Sequence, residues 1–276
     1  MWIEQLWYME MMVEMKYLNN LKKIKDITTV EGEVVEVFEL LPSINEEEFN
    51  EWASCFRKNY CADDILDSLV HGTGMTKKEY ILSQKFPDKE GGFGPGTRSG
   101  DFAELLISDY LEYKLGYIIH RERYKNKFNR NSSTQGTDVL GFKLCGLKPT
   151  PNDEFITFEV KAQASGKKAK NRLQNAIGDS RKDTIRKGVT LNALKQIYIE
   201  KGNAQKASQI ERFQNKLDRP YIERYGAAAI YDSAIYSEDL IQQVKLGGQK
   251  LWMIVIKRYN LLTLVHRLYE VAANVD

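Results

Sequence analysis

The stretch Phe155-Ile156-Thr157-Phe158-Glu159-Val160-Lys161-Ala162-Gln163-Ala164 decides the architecture of this chain. Its β-branched and aromatic residues predict a strand. Successive strand side chains point to opposite faces, so Glu159, Lys161 and Gln163 share one side while Phe158, Val160 and Ala162 share the other. Two charges and an amide therefore line one face of a strand whose neighbours are apolar. Half-buried charge is costly unless it is paired or bound to metal. A hard cation such as Mg²⁺, with Mn²⁺ as an alternative, takes carboxylate oxygens while keeping several waters, which makes Glu159 a candidate ligand.

Two further motifs lie upstream. Gly136-Thr137-Asp138 enters a strand predicted over Thr137–Leu144, and Asp138 is placed to supply a second carboxylate. Gly100-Asp101-Phe102-Ala103-Glu104 opens a helix predicted from Gly100 to Leu115 and ended by Gly116, with Asp101 as its N-cap. Glu104 is then a third metal ligand, directly or through a water, and Glu112 is expected on the exposed side. Lys161 beside a metal is suited to orienting or deprotonating an attacking water, or to stabilising the charge of a phosphorane. Metal-assisted phosphodiester hydrolysis needs no histidine, serine or cysteine nucleophile.

The remaining elements follow from periodicity and turn chemistry. A strand over Tyr117–Tyr124 precedes the Asp138 strand, and a basic helical region runs from Lys167 to about Lys201 with breaks near Gly178 and Gly188. A helix over Ala207–Tyr225, strands at Ala227–Ile235 and Lys250–Lys257, and an amphipathic helix over Asn260–Ala273 complete an α-β-β-β-α-β order on a mixed sheet flanked by helices, covering residues 99–276. Residues 1–92 read as an N-terminal α+β extension, with a strand at Gly32–Leu41 and helices from Asn45 to Tyr60, over Asp63–Leu69 and over Lys77–Gln84. Between the two lies Gly91–Gly100, whose five glycines and one proline predict a linker or a mobile loop. No Gly-Lys-Ser/Thr follows it, which disfavours a nucleotide-binding P-loop.

The composition narrows the classes. Of 276 residues, 42% are hydrophobic and 28% charged, which is ordinary for a globular chain with a sizeable core. No run approaches the ~18 apolar residues of a membrane span. Glu4, Glu10 and Glu14 interrupt Met1–Met15, against a signal peptide. Cys55, Cys61 and Cys145 lack metal-ligand or disulfide spacing, which points to a reducing cytoplasm. Charge is unevenly spread: eleven acids face Arg57 and Lys58 between Glu31 and Asp67, whereas nine bases face Asp179 and Asp183 between Lys161 and Lys187. Phosphate attraction makes nucleic acid the natural partner of the basic stretch. Lys167, Lys168, Lys170 and Arg172 are its leading candidate contacts. Arg121 and Arg123, interleaved with Tyr124 and Phe128, are a second set, with an exposed charged hairpin as the competing reading.

A helix glutamate, Gly-Thr-Asp and Glu-Val-Lys-x-Gln in this order resemble the PD-(D/E)xK nuclease superfamily. The resemblance implies a restriction-endonuclease-like core, with catalytic residues at Glu104, Asp138, Glu159 and Lys161, and it matches Gln163 to the glutamine some branches carry. Thr137 stands where the superfamily often has proline. The passages GDFAELLISDYLE, GTDVLGF and FEVKAQ are further similar to the nuclease subunit family (HamA) of the bacterial Hachiman anti-phage system. That likeness implies a partner helicase and cleavage of DNA. A stand-alone restriction enzyme and a non-catalytic nuclease-fold module are the competing readings; the first lacks an evident base-reading element, and the second has no need of the four-residue set.

Overall fold

The computed structural model describes residues 15–133 and 136–274, so the reading of the first fourteen residues lies outside it. Seven strands form one mixed sheet in the order β1-β2-β7-β6-β5-β4-β3. Its middle is built from β5 (Glu154–Gln163), β6 (Ile222–Asp232) and β7 (Trp252–Arg258), all parallel. On one side β4 (Val139–Lys143) and the two-residue β3 (Ile118–Ile119) add antiparallel. On the other, β2 (Val34–Leu40) pairs parallel with β7 and antiparallel with β1 (Leu21–Thr28). The strands of the N-terminal extension are thus hydrogen-bonded into the same sheet.

Helices cover both faces, because the central strands are apolar on both sides. Ile156, Phe158 and Val160 of β5 pack with Ile230 and Ile254 beneath α1 (Glu46–Lys58), α4 (Gly94–Asp109) and α9 (Leu261–Ala272). Asn45 caps α1 by accepting from the Glu48 amide at 2.9 Å, and Phe49, Trp52, Ala53 and Phe56 form its buried face, as the spacing predicts. Between α1 and α4 lie α2 (Asp63–Val70) and the short α3 (Lys77–Tyr80). Across the sheet, Val37, Ala227, Ala229 and Val255 meet Leu173 and Ile177 of α5 (Arg172–Ser180). At the β4 end, Phe142 and Phe155 pack against α6 (Asp183–Glu200) and α7 (Ala204–Glu211). A short α8 (Glu238–Gln242) precedes β7.

Several expectations need correction. Gly91–Gly100 is no simple loop: α4 begins at Gly94, with Pro95 in its first turn where the missing N–H costs nothing. A Cβ at Gly94 would lie 2.6 Å from that of Asp88, so packing demands glycine there. Asp101 is accordingly mid-helix and buried rather than an N-cap. The strand expected over Tyr117–Tyr124 shrinks to β3, because the chain then turns to bring charged side chains to the interior. The helix expected over Ala207–Tyr225 ends at Glu211, and its last residues enter β6. Strand β1 escaped prediction, since Lys22, Lys23, Lys25 and Asp26 hide its apolar alternation.

Candidate active site

Antiparallel pairing aligns Val139 with Phe158, which sets Asp138 at the mouth of β4 beside the Glu159-Val160 peptide. The Val160 amide donates to Asp138 Oδ2 at 3.0 Å, fixing that carboxylate against β5. Glu104 approaches from α4, whose buried face runs under β4 and β5. Glu104, Asp138, Glu159, Lys161 and Gln163 all line one open cleft of about 1000 Å³.

The counter-charges are side chains. Lys161 Nζ donates to Glu159 Oε1 at 2.6 Å and reaches Asp179 Oδ2 at 3.1 Å. Arg123 sits 3.2 Å from Asp138 and 3.5 Å from Glu104, while also holding the Thr137 carbonyl at 2.6 Å. Tyr124 donates to Glu104 at 2.7 Å. Glu104 and Asp138 share Arg123 while Glu159 turns to Lys161, and among the described residues no three potential ligands already gather at metal-binding spacing.

Even with these cations nearby, two of the acids are held away from their ordinary acidity. Burial pushes Glu104 up to about 8, with Arg123 opposing and Asp138 adding to the rise. Burial and the Asp138 charge push Glu159 up to about 7. The Glu159 Oε2 atom is buried without a hydrogen-bond partner among the described residues, and the Arg186 guanidinium stands 3.7 Å away. Burial works against the Lys161 ammonium, but the hydrogen bond and charge of Glu159, with Asp138 and Asp179, prevail and hold its pKa above the ordinary value. In the metal-free fold the Lys161 ammonium is thus favoured.

The remaining candidates separate. Gln163 reaches the backbone of the basic turn: its amide nitrogen donates to the Lys168 carbonyl at 2.9 Å, and its oxygen accepts from the Lys170 amide at 2.9 Å. It holds Lys167, Lys168 and Lys170 exposed at the cleft edge, with Arg172 in the cleft wall. Arg121 is not brought to the cleft; it pairs with Asp109 at 2.7 Å and with Glu112, which is half-buried rather than exposed. Arg123 lies on the acids themselves. Sequence reasoning missed Asp179, Asp183 and Arg186, which read as ordinary charges in a basic helix until the crossover folds them under β5.

The HamA family model matches residues 15–272, nearly the whole chain. The chain belongs to the HamA family. Among curated proteins none matches. HamA membership makes the chain a component of Hachiman defence, and the matched span runs from the N-terminal strands through α9. Among the described residues no helix is long and apolar enough to cross a membrane.

Proposed function

We propose that this HamA chain is a divalent-metal-dependent DNA endonuclease of the PD-(D/E)xK type, the cutting effector of an anti-phage system that works with a helicase. The observation that carries the reading is the convergence of Glu104, Asp138, Glu159 and Lys161 in one cleft from a helix and two adjacent strands.

The donor set fits a hard cation. Its three carboxylates face the open cleft, one Glu159 oxygen is buried without a hydrogen-bond partner among the described residues, and burial with mutual repulsion raises two of the acids. Asp138 and Glu159 would hold Mg²⁺ or Mn²⁺, with Glu104 contributing directly or through water. Bound there, such an ion polarises a phosphate and lowers the pKa of its water toward neutrality.

The chain's own residues supply the rest. Lys161, kept charged, faces the site where negative charge builds on a phosphate under attack, and a preorganised cation there stabilises that charge. Arg123 orients Asp138 and Glu104. Lys167, Lys168 and Lys170 on the turn held by Gln163 offer phosphate contacts along the cleft edge, giving affinity without base reading. Affinity of that kind favours recruitment by a partner helicase over a stand-alone restriction enzyme.

The test is cleavage of plasmid and linear DNA by the chain, alone and with its helicase, in Mg²⁺, Mn²⁺ or EDTA. Metal-dependent cutting lost in Glu159→Ala and Lys161→Ala is the expected result. Equal cutting by those variants, or cutting in EDTA, would remove the proposed site. Helicase-free cutting at defined sequences would favour the restriction reading.

A further inference from the structure

Asp183 opens α6, and an acid there normally stands in water, where the positive end of the helix favours it. This one is 0% exposed. Its Oδ1 accepts from the Thr137 hydroxyl at 3.2 Å, and its Oδ2 is buried without a hydrogen-bond partner among the described residues. A helix-end role alone gives no reason to bury the carboxylate.

Its surroundings supply one. Thr190 lies seven residues on, about two helical turns, so it shares a face of α6 with Asp183. Its hydroxyl donates to the Arg186 carbonyl at 3.1 Å and accepts from the Thr137 amide at 3.3 Å. Gly136 passes so close, at φ +103°, that a Cβ would lie 2.8 Å from Thr190 Oγ1. The turn before Asp138 is thus gripped from α6 at the Thr137 amide and hydroxyl, and from the other side by Arg123 at the Thr137 carbonyl. Thr137 itself is 2% exposed, so each of these groups is held inside the protein. Where proline would restrict the backbone through its ring, this chain uses a hydroxyl clamped to a buried acid.

We infer that Asp183 is a positioning residue, which through Thr137 sets the Gly136–Asp138 turn and so aims the Asp138 carboxylate into the cleft. The inference rests on the reading of Asp138 as a metal-ligating acid. Asp183 touches neither metal nor DNA; its effect passes through one hydrogen bond.

The decisive variants are Thr137→Val, which keeps the volume and removes the donor, Thr137→Ser, which restores it, Asp183→Asn, which keeps an acceptor oxygen, and Asp183→Ala. Each full-length chain is titrated with Mn²⁺ alone by calorimetry, and its kcat and KM on linear DNA are measured with the helicase present. Hydrogen-bond partners of metal ligands typically change affinity or activity by roughly 10–100-fold. Thr137→Val and Asp183→Ala are expected to weaken Mn²⁺ binding and lower kcat by about tenfold or more, with KM little changed. Thr137→Ser and Asp183→Asn are expected to stay close to wild type, and the Thr137→Val/Asp183→Ala pair to be no worse than the more impaired single variant. Wild-type Mn²⁺ affinity and kcat in Thr137→Val would overturn the inference, even if Asp183→Ala fails to fold. So would losses that add in the double variant. A lowered melting temperature with unchanged affinity and kcat would mark Asp183 as purely structural and equally overturn it. If wild type binds no Mn²⁺ and cuts no DNA, the nuclease reading itself falls, an outcome distinct from an active enzyme indifferent to Thr137.

Discussion

Arg121 and Arg123 stand two residues apart, yet the polar regions they enter are built on opposite principles. At Arg121 the guanidinium meets Asp109 at 2.7 Å and Glu112, the Asn59 side chain lies at 3.3 Å, and the Tyr17 hydroxyl closes on Asp109 at 2.7 Å. The cluster joins α4, β3 and the N-terminal segment and has little access to solvent. At Arg123 the acids Glu104 and Asp138 are joined in the same cleft by Glu159, one of whose oxygens lacks a hydrogen-bond partner among the described residues. Enclosed and hydrogen-bonded, the Arg121 cluster ties elements together. In the open cleft, buried carboxylates with raised pKa cost stability once ionised, which is the arrangement the proposed metal site would use.

The sharpest break in this comparison is chemical. Glu159→Ala and Lys161→Ala should each lower metal-dependent DNA cleavage by roughly 10²–10³-fold, the scale for removing one preorganised charge-stabilising group. Glu159→Gln should leave urea stability unchanged or raised, because a neutral amide removes the repulsion. Arg121→Ala should do the reverse. Leaving Asp109 and Glu112 without their buried partner should cost about 3–5 kcal/mol in urea unfolding, while the Mn²⁺ affinity of the folded protein changes little. Equal stability loss at Arg121 and Glu159 would erase the distinction between the two clusters.

Acidity offers a milder probe. Glu104 and Glu159 sit at about 8 and about 7 in the fold, above the ordinary value of 4.5 for each. A raised carboxyl pKa means that the protonated form is favoured by folding. The associated stability is full below the ordinary value and is lost as pH climbs through about 7 to 8. Without divalent metal the melting temperature should therefore fall between slightly acid and slightly alkaline pH, by several degrees given ~2–4 °C per kcal/mol at this chain length. Mn²⁺ should raise it more at alkaline than at acid pH, and Glu159→Gln should flatten both trends. A metal-free melting temperature that rises with pH would refute the raised pKa values of the cleft's two glutamates. The smallest effect belongs to the basic turn: Lys167→Ala/Lys168→Ala should weaken DNA binding severalfold at low salt and make the salt slope shallower by about 1–2.

Much of this site is legible one residue at a time. Alternation along β5 is a local property, so Glu159, Lys161 and Gln163 declare a shared face from the sequence, and Asn45 declares its helix through a contact three residues away. Gly94–Ser99 is not legible in that way. Its glycine content predicts a break, yet close approach to Asp88 and the packing of Thr97 and Arg98 make it the first turns of a buried helix. Asp101 changes with it, from an expected N-cap to a buried partner of Lys127 at 2.5 Å and of the Tyr60 hydroxyl at 2.8 Å.

By itself, then, the sequence determined the alternating face of β5, the acid entering β4, the helical acid upstream and the mixed order of elements, because each depends on periods of two or 3.6 residues. Only the tertiary structure decided which charges confront one another. The chain turn after β3 sends Arg121 to one cluster and Arg123 to the other, and the crossover from β5 to β6 carries Asp183 and Arg186 back to within reach of Thr137 and Glu159. Those pairings span up to 46 residues of chain. No local pattern records them, because their partners are chosen by burial and by Coulomb energy in a cleft that exists only once the sheet has formed.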